Sequence, residues 1–180
     1  MSDFAKELDR TTVRFERILP GPIERVWDYL YDSEKRREWF ATGPMPAKVG
    51  ETFTMHFSHK GYSPHPSVAP EKMREVDRHG HDSVHTLLAC EPPTRLAYTF
   101  GKDGVSQVEF RLSREGDPKD NKVRLVLTHS RLPDRGFKLS ISGGWHSHLD
   151  ILEHKLRGEV PPGFWDIWRK YDGAYDARYD

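Results

Sequence analysis

The spacing of apolar and polar residues changes period several times along the chain, and each change marks an element. In residues 12–19, Val13 and Phe15 fall on one face of an extended segment, which predicts a first strand. Pro20-Gly21-Pro22 ends it, and Pro22, with its fixed φ, suits the opening turn of a helix. Ile23, Val26, Trp27, Leu30 and Tyr31 then recur at helical spacing. Asp32-Ser33 interrupts them, with Ser33 expected to cap a second short helix through Glu38, Trp39 and Phe40. After Val49-Gly50 the period drops to two: Phe53, Met55 and Phe57 alternate with polar neighbours, as in a half-buried strand. Residues 58–66 read as a loop, 67–77 as either strand or coil, and 77–82 as a second turn.

Clearly punctuated strands follow at 83–90, 95–100, 105–114 and 123–129. Leu96, Tyr98 and Phe100 share a face, as do Val108, Phe110 and Leu112, and then Val123, Leu125, Leu127 and His129. Such alternation belongs to an antiparallel sheet covered on one side. The cover comes last. Between about Phe137 and Arg157, Trp145, Leu149, Leu152 and Leu156 make one apolar stripe on a long helix, with Gly158 at its end. Each stripe residue contributes about 1.5–3 kcal/mol when fully buried. Beyond Pro161-Pro162, Phe164, Trp165, Trp168 and Tyr171 suggest a short aromatic helix. No repeat or linker is visible, so one domain is expected over residues 1–180, with its core at 12–158 and an aromatic extension at 159–180.

The predicted fold class is α+β. The expected arrangement is a helix grip, with a curved antiparallel sheet wrapped around a long C-terminal helix and two short helices after the first strand. The residues at three places support that reading. The run from Val13 to Trp27, with its proline-led helix ending in Val26-Trp27, resembles the opening of the START-like (SRPBCC) superfamily. Within it the chain resembles the group named for activators of the heat-shock-protein-90 ATPase. Trp39-Phe40 sits where that group has an aromatic pair closing its second helix, and Gly144-Trp145 followed by Leu149, Leu152 and Leu156 is similar to its terminal-helix signature. The resemblance runs from about residue 12 to 158 but does not extend through the Pro/His-rich stretch 58–82. It implies a fold more than an activity: members bind lipids, polyketides, hormones or drugs, some are cyclases, and the eukaryotic name-givers are cochaperones.

Composition narrows the field further. The 28 basic and 28 acidic residues cancel and neither sign forms a block. This speaks against nucleic acid and against a polybasic membrane patch. No stretch approaches the roughly 20 apolar residues of a membrane span. The N-terminal residues lack an apolar signal core, and the single cysteine, Cys90, allows no internal disulfide, so a cytoplasmic setting is expected. No phosphate-cradling glycine loop is present, and no cofactor is expected. Ten histidines raise the question of a metal. However, His146 and His148, two apart on a helix, diverge, and His81 and His85 straddle a turn–strand junction, so no metal site is expected.

Trp27, Trp39, Phe53, Met55, Phe57, Tyr98, Phe100, Phe110, His129, Trp145 and Leu149 project by periodicity into the space between sheet and helices. They are the candidate lining of a ligand cavity, and each of them taken singly is more often the material of an ordinary core. His129 either offers a titratable group to a ligand or sits at the sheet rim bonded to backbone. Gly143-Gly144, each costing a helix interior roughly 1 kcal/mol, allows three readings. They permit close approach to the sheet, leave space for a ligand beside Trp145, or fall in the first turn of a helix that starts only at Ser142. The leading expectation is therefore an apolar small molecule bound between sheet and terminal helix. The alternatives are a cochaperone-like or stress-response domain with a chaperone partner, and a polyketide-cyclase or dehydratase-type enzyme using His129 and Tyr98. The aromatic extension is expected either to cap the cavity or to make a homodimer contact.

Overall fold

A computed structural model describes residues 3–179. Its eight strands are β1 (Lys6–Asp9), β2 (Thr12–Pro20), β3 (Ala41–Thr42), β4 (Thr52–Phe57), β5 (His81–Glu91), β6 (Arg95–Phe100), β7 (Ser106–Glu115) and β8 (Lys122–Ser130). They form one curved open antiparallel sheet in the order β1-β2-β8-β7-β6-β5-β4-β3. Helices α1 (Ile23–Tyr31) and α2 (Ser33–Arg37) follow β2, and α3 (Arg74–His79) lies between β4 and β5. The 23-residue α4 (Arg135–Arg157) and the short α5 (Phe164–Tyr171) close the chain. This is the helix-grip arrangement. The register places Phe15 and Phe110 on either side of Leu127, and Val13 and Val108 on either side of His129. One concave apolar face results, and α4 lays Trp145, Leu149, Leu152 and Leu156 on it, all buried.

Several local expectations change. β1 precedes the first strand predicted from periodicity; only four residues long, it carries too little alternation to be read. The cap of α2 is Asp32, whose carboxylate accepts from the backbone N–H of Glu34 and Lys35, while Ser33 Oγ accepts from Gly43 N at 2.9 Å. The helix ends at Arg37, and the buried Arg36 guanidinium donates to the carbonyls of Tyr31, Ala41 and Gly43, tying α1 to β3. Residues 77–82 are not a turn. α3 ends at His79 with Gly80 as its cap, and β5 begins at His81, opposite Phe57. α4 starts at Arg135 behind the Asp134 cap, which excludes a helix beginning at Ser142. Gly158, at φ 72°, ends it as the sequence predicts.

Candidate functional site

A cavity of about 880 Å³ lies at one end of the sheet–helix sandwich. Its floor is the N-terminal half of β5, the β6–β7 turn and the end of β4. One wall is α4 from Phe137 to His148. A second wall is made by Met73 and Val76 of the β4–β5 connection together with Phe164, Trp165 and Trp168 of α5.

The two segments that build this second wall hold each other. Trp165 Nε1 donates to Asp77 at 2.7 Å, Ser63 Oγ donates to the Pro161 carbonyl at 2.6 Å, and Arg169 donates to the Val68 carbonyl. The aromatic extension and the stretch 58–80 are thus one structural unit.

Among the predicted lining residues, Phe57, Phe100 and Trp145 border the cavity. The other eight lie elsewhere. Trp27 stacks on Tyr31 at 5.9 Å within α1, and Trp39 is enclosed with its Nε1 donating to the Tyr29 carbonyl at 2.7 Å. Phe53, Met55, Tyr98, Phe110 and Leu149 pack in the core cluster. The reason is volume. Phe110 meets Trp145 edge-on at 5.7 Å, so the rings of sheet and helix fill the centre of the sandwich and leave space only towards its end.

His129 is also enclosed, and it is neither at the rim nor bonded to backbone. Trp145 Nε1 donates to its Nδ1 at 2.9 Å, and its Nε2 lies 2.8 Å from Ser106 Oγ. Ser106 Oγ in turn donates to the Phe100 carbonyl at 2.9 Å. With Nδ1 accepting, Nε2 must carry the proton, so both ring nitrogens are used. Burial lowers the His129 pKa to about 3. The ring is a neutral brace that orients Trp145 and Phe100, both cavity residues, and it has no lone pair left for a general base. Tyr98 is buried beside His85 and Phe110, away from the cavity, and burial raises its pKa. Burial also raises the Cys90 pKa, which disfavours a nucleophilic thiolate.

Periodicity in the strands missed several cavity residues, chiefly Phe40, His59 and His148. His148 Nδ1 lies 2.7 Å from the Trp39 carbonyl, and its ring packs against Phe40 at 5.1 Å and Phe164 at 4.9 Å. Its pKa falls to about 3, first through burial and then through His59. His59 stacks on Phe164 at 4.2 Å, and burial lowers its pKa to about 4. His146, two residues before His148, points the other way, to the Tyr175 hydroxyl at 2.8 Å. Among the described residues no cluster of histidine, cysteine or carboxylate groups could hold a metal ion. Gly144 borders the cavity, and a methyl group there would meet nothing within 4 Å. Of the readings open for the glycine pair, this favours space beside Trp145.

The family model for Activator of Hsp90 ATPase homolog 1-like proteins matches residues 20–157. The chain belongs to this family. The match spans α1 through α4, so the wall contributed by α5 lies outside it. Comparison with curated proteins gives no match. Among solved structures, the protein encoded by gene BPP1335 of Bordetella parapertussis is 44% identical, with a TM-score of 0.80 over 98% of this chain and 93% of that one. CalU16 from Micromonospora echinospora is 23% identical, with a TM-score of 0.64 over 92% of this chain and 86% of its own. A conserved protein of unknown function from Enterococcus faecalis, EF2215, shares 14% identity at a TM-score of 0.64, covering 99% of this chain and 92% of its own. The last two show the fold alone. None of the helices described is long and apolar enough to cross a membrane.

Proposed function

We propose that this member of the Activator of Hsp90 ATPase homolog 1-like family binds a hydrophobic small molecule in the cavity between the β5–β6 end of the sheet and α4. The observation that carries the reading is the cavity itself. Its volume of about 880 Å³ is within the range that ligand sites use, and its walls are rich in aromatic rings with a few polar groups among them. Ligand-positioning roles fall to Phe57, Phe100 and Trp145, with the His129–Ser106 brace holding the last two in place. The free thiol of Cys90 is compatible with a reducing, cytoplasmic setting. The alternative of a partner chaperone has only the family's name behind it.

The test is thermal denaturation against a panel of apolar compounds, in parallel on wild type and Gly144→Phe. A ligand at a hundred times its Kd adds about 2.7 kcal/mol to stability. The expected result is a shift for at least one chemical class in wild type that disappears in Gly144→Phe, whose ring occupies the space beside Trp145. A shift of equal size in both proteins would place binding outside the cavity and reject the reading.

A further inference from the structure

We propose that the ligand is an aromatic compound bearing a phenol-type hydroxyl, which it donates to Nε2 of His148. This rests on the small-molecule reading above and assigns the polar contact at the same site. A carbonyl oxygen can only accept, so the 2.7 Å contact between His148 Nδ1 and the Trp39 carbonyl places the ring proton on Nδ1. The ring is neutral, held so by its burial among Phe40, Tyr62 and Phe164. In a neutral imidazole with a protonated Nδ1, Nε2 is a bare lone pair. Among the described residues that nitrogen has no hydrogen-bond partner, and the ring borders the cavity. It is therefore a fixed acceptor, unable to turn its other nitrogen towards a ligand without breaking the bond to Trp39.

The surroundings select the rest of the ligand. His59, stacked 5.7 Å from His148, is neutral as well, so no imidazolium is present to attract an anion, and a lone pair repels carboxylate oxygens. Phe40 lies edge-on to His148 and stacks on Trp145 at 4.8 Å with an interplanar angle of 25°. Flat ring faces of this kind suit aromatic rings. An acceptor next to an aromatic wall fits a hydroxyl carried directly on a ring, and a phenolic hydroxyl is a better donor than an aliphatic one.

The experiment compares 1-hydroxypyrene with 1-methoxypyrene at pH 7, by fluorescence titration and calorimetry, on wild type and His148→Asn. The asparagine amide nitrogen stands near the position of Nδ1 and keeps the donation to Trp39, while Nε2 is removed. Wild type should bind the hydroxyl compound about tenfold more tightly than its methyl ether. In His148→Asn that advantage should vanish while methoxypyrene affinity stays nearly unchanged. Equal affinities in wild type, or an advantage that survives in folded His148→Asn, overturn the inference and leave the cavity reading intact, because methoxypyrene still binds. Failure of both compounds to bind removes the cavity reading for ligands of this kind and the inference with it. Should His148→Asn not fold, wild type labelled with 15N-histidine decides. The unprotonated ring nitrogen of His148 must shift with hydroxypyrene and not with methoxypyrene, and no difference between the two overturns the proposal.

Discussion

Acidification to pH 5 should destabilise this fold steeply, because three enclosed histidines must stay neutral for it to form. His129, His146 and His148 are each at most 7% exposed, and burial is the first cause that lowers each pKa to about 3. In the unfolded chain each titrates near 6.5. A histidine with a depressed folded-state pKa contributes its full stability above the unfolded value and loses it as pH falls towards the folded one. Between about pH 6.5 and 3 the unfolded chain therefore binds one more proton per ring, and each ring tilts the equilibrium by about 1.4 kcal/mol per pH unit. From pH 7 to pH 5 that is about 2 kcal/mol per ring, against a total stability for such domains of about 5–15 kcal/mol.

Asp150 moderates one of the three. Its carboxylate lies 3.9 Å from His146 Nε2, and burial raises its own pKa, which contributes in the opposite sense at lower pH. His59, lowered to about 4 by burial, adds a fourth ring over part of the window, so three to four protons, or about 4–5 kcal/mol per pH unit, is the expected slope. Urea denaturation at pH 5, 5.5, 6 and 7 gives it directly, and carbon–proton correlation spectra of the histidine rings assign it. A slope of one proton or less, or any of the three rings titrating above pH 5 in the folded protein, would refute the reasoning.

Substitutions test the site from other directions. His129→Phe keeps an aromatic ring but leaves the Trp145 indole N–H without its acceptor, and should lose about 1–3 kcal/mol in urea denaturation. Retained stability would mean the brace contributes nothing. Gly144→Ala places a methyl in open space within a helix and should raise stability by about 0.5–1 kcal/mol, read as a higher Tm; a lower Tm would show that the space is not there. Gly80→Ala should destabilise by more than about 1 kcal/mol. Its φ is +65° and the added carbon would sit 2.5 Å from the Phe57 carbonyl oxygen, so an unchanged Tm would contradict that contact.

The strands were readable because their alternation is clean. Val108, Phe110 and Leu112 could only face one way, and Leu127 lies between Phe15 and Phe110 as that alternation requires. The connection at 58–80 was not readable for a reason that is also physical. α3 buries none of its residues, so it carries no amphipathic period, and its place is set by Trp165, some 88 positions along the chain, through the bond to Asp77. Periodicity likewise tells which side of a strand faces inward but not how far the opposite wall stands. Trp27 and Phe57 both face inward by period, yet one stacks in a helix and the other borders a cavity of about 880 Å³.

One signal for the site was nonetheless present in the sequence. From Lys138 to Leu149 the long helix has a single formally charged residue in twelve, whereas an ordinary surface helix carries charge on its outer face. A helix without a charged face needs a second cover besides the sheet. The aromatic run from Phe164 to Tyr171 supplies it, and Phe164, Trp165 and Ile167 are buried there. Once α4 is covered on both sides, its polar residues become interior groups that must find partners. Ser142 accepts from the Tyr179 hydroxyl, His146 meets the Tyr175 hydroxyl, and Lys138 meets Glu7. His148 follows the same rule on one nitrogen, through Trp39, and departs from it on the other, which has no partner among the described residues and belongs to a ring that borders the cavity. Of the two interior histidines of α4, only His148 has its ring on the cavity, and that position, with one nitrogen open, directs the functional question to it rather than to the strand histidine, His129, whose nitrogens are both taken.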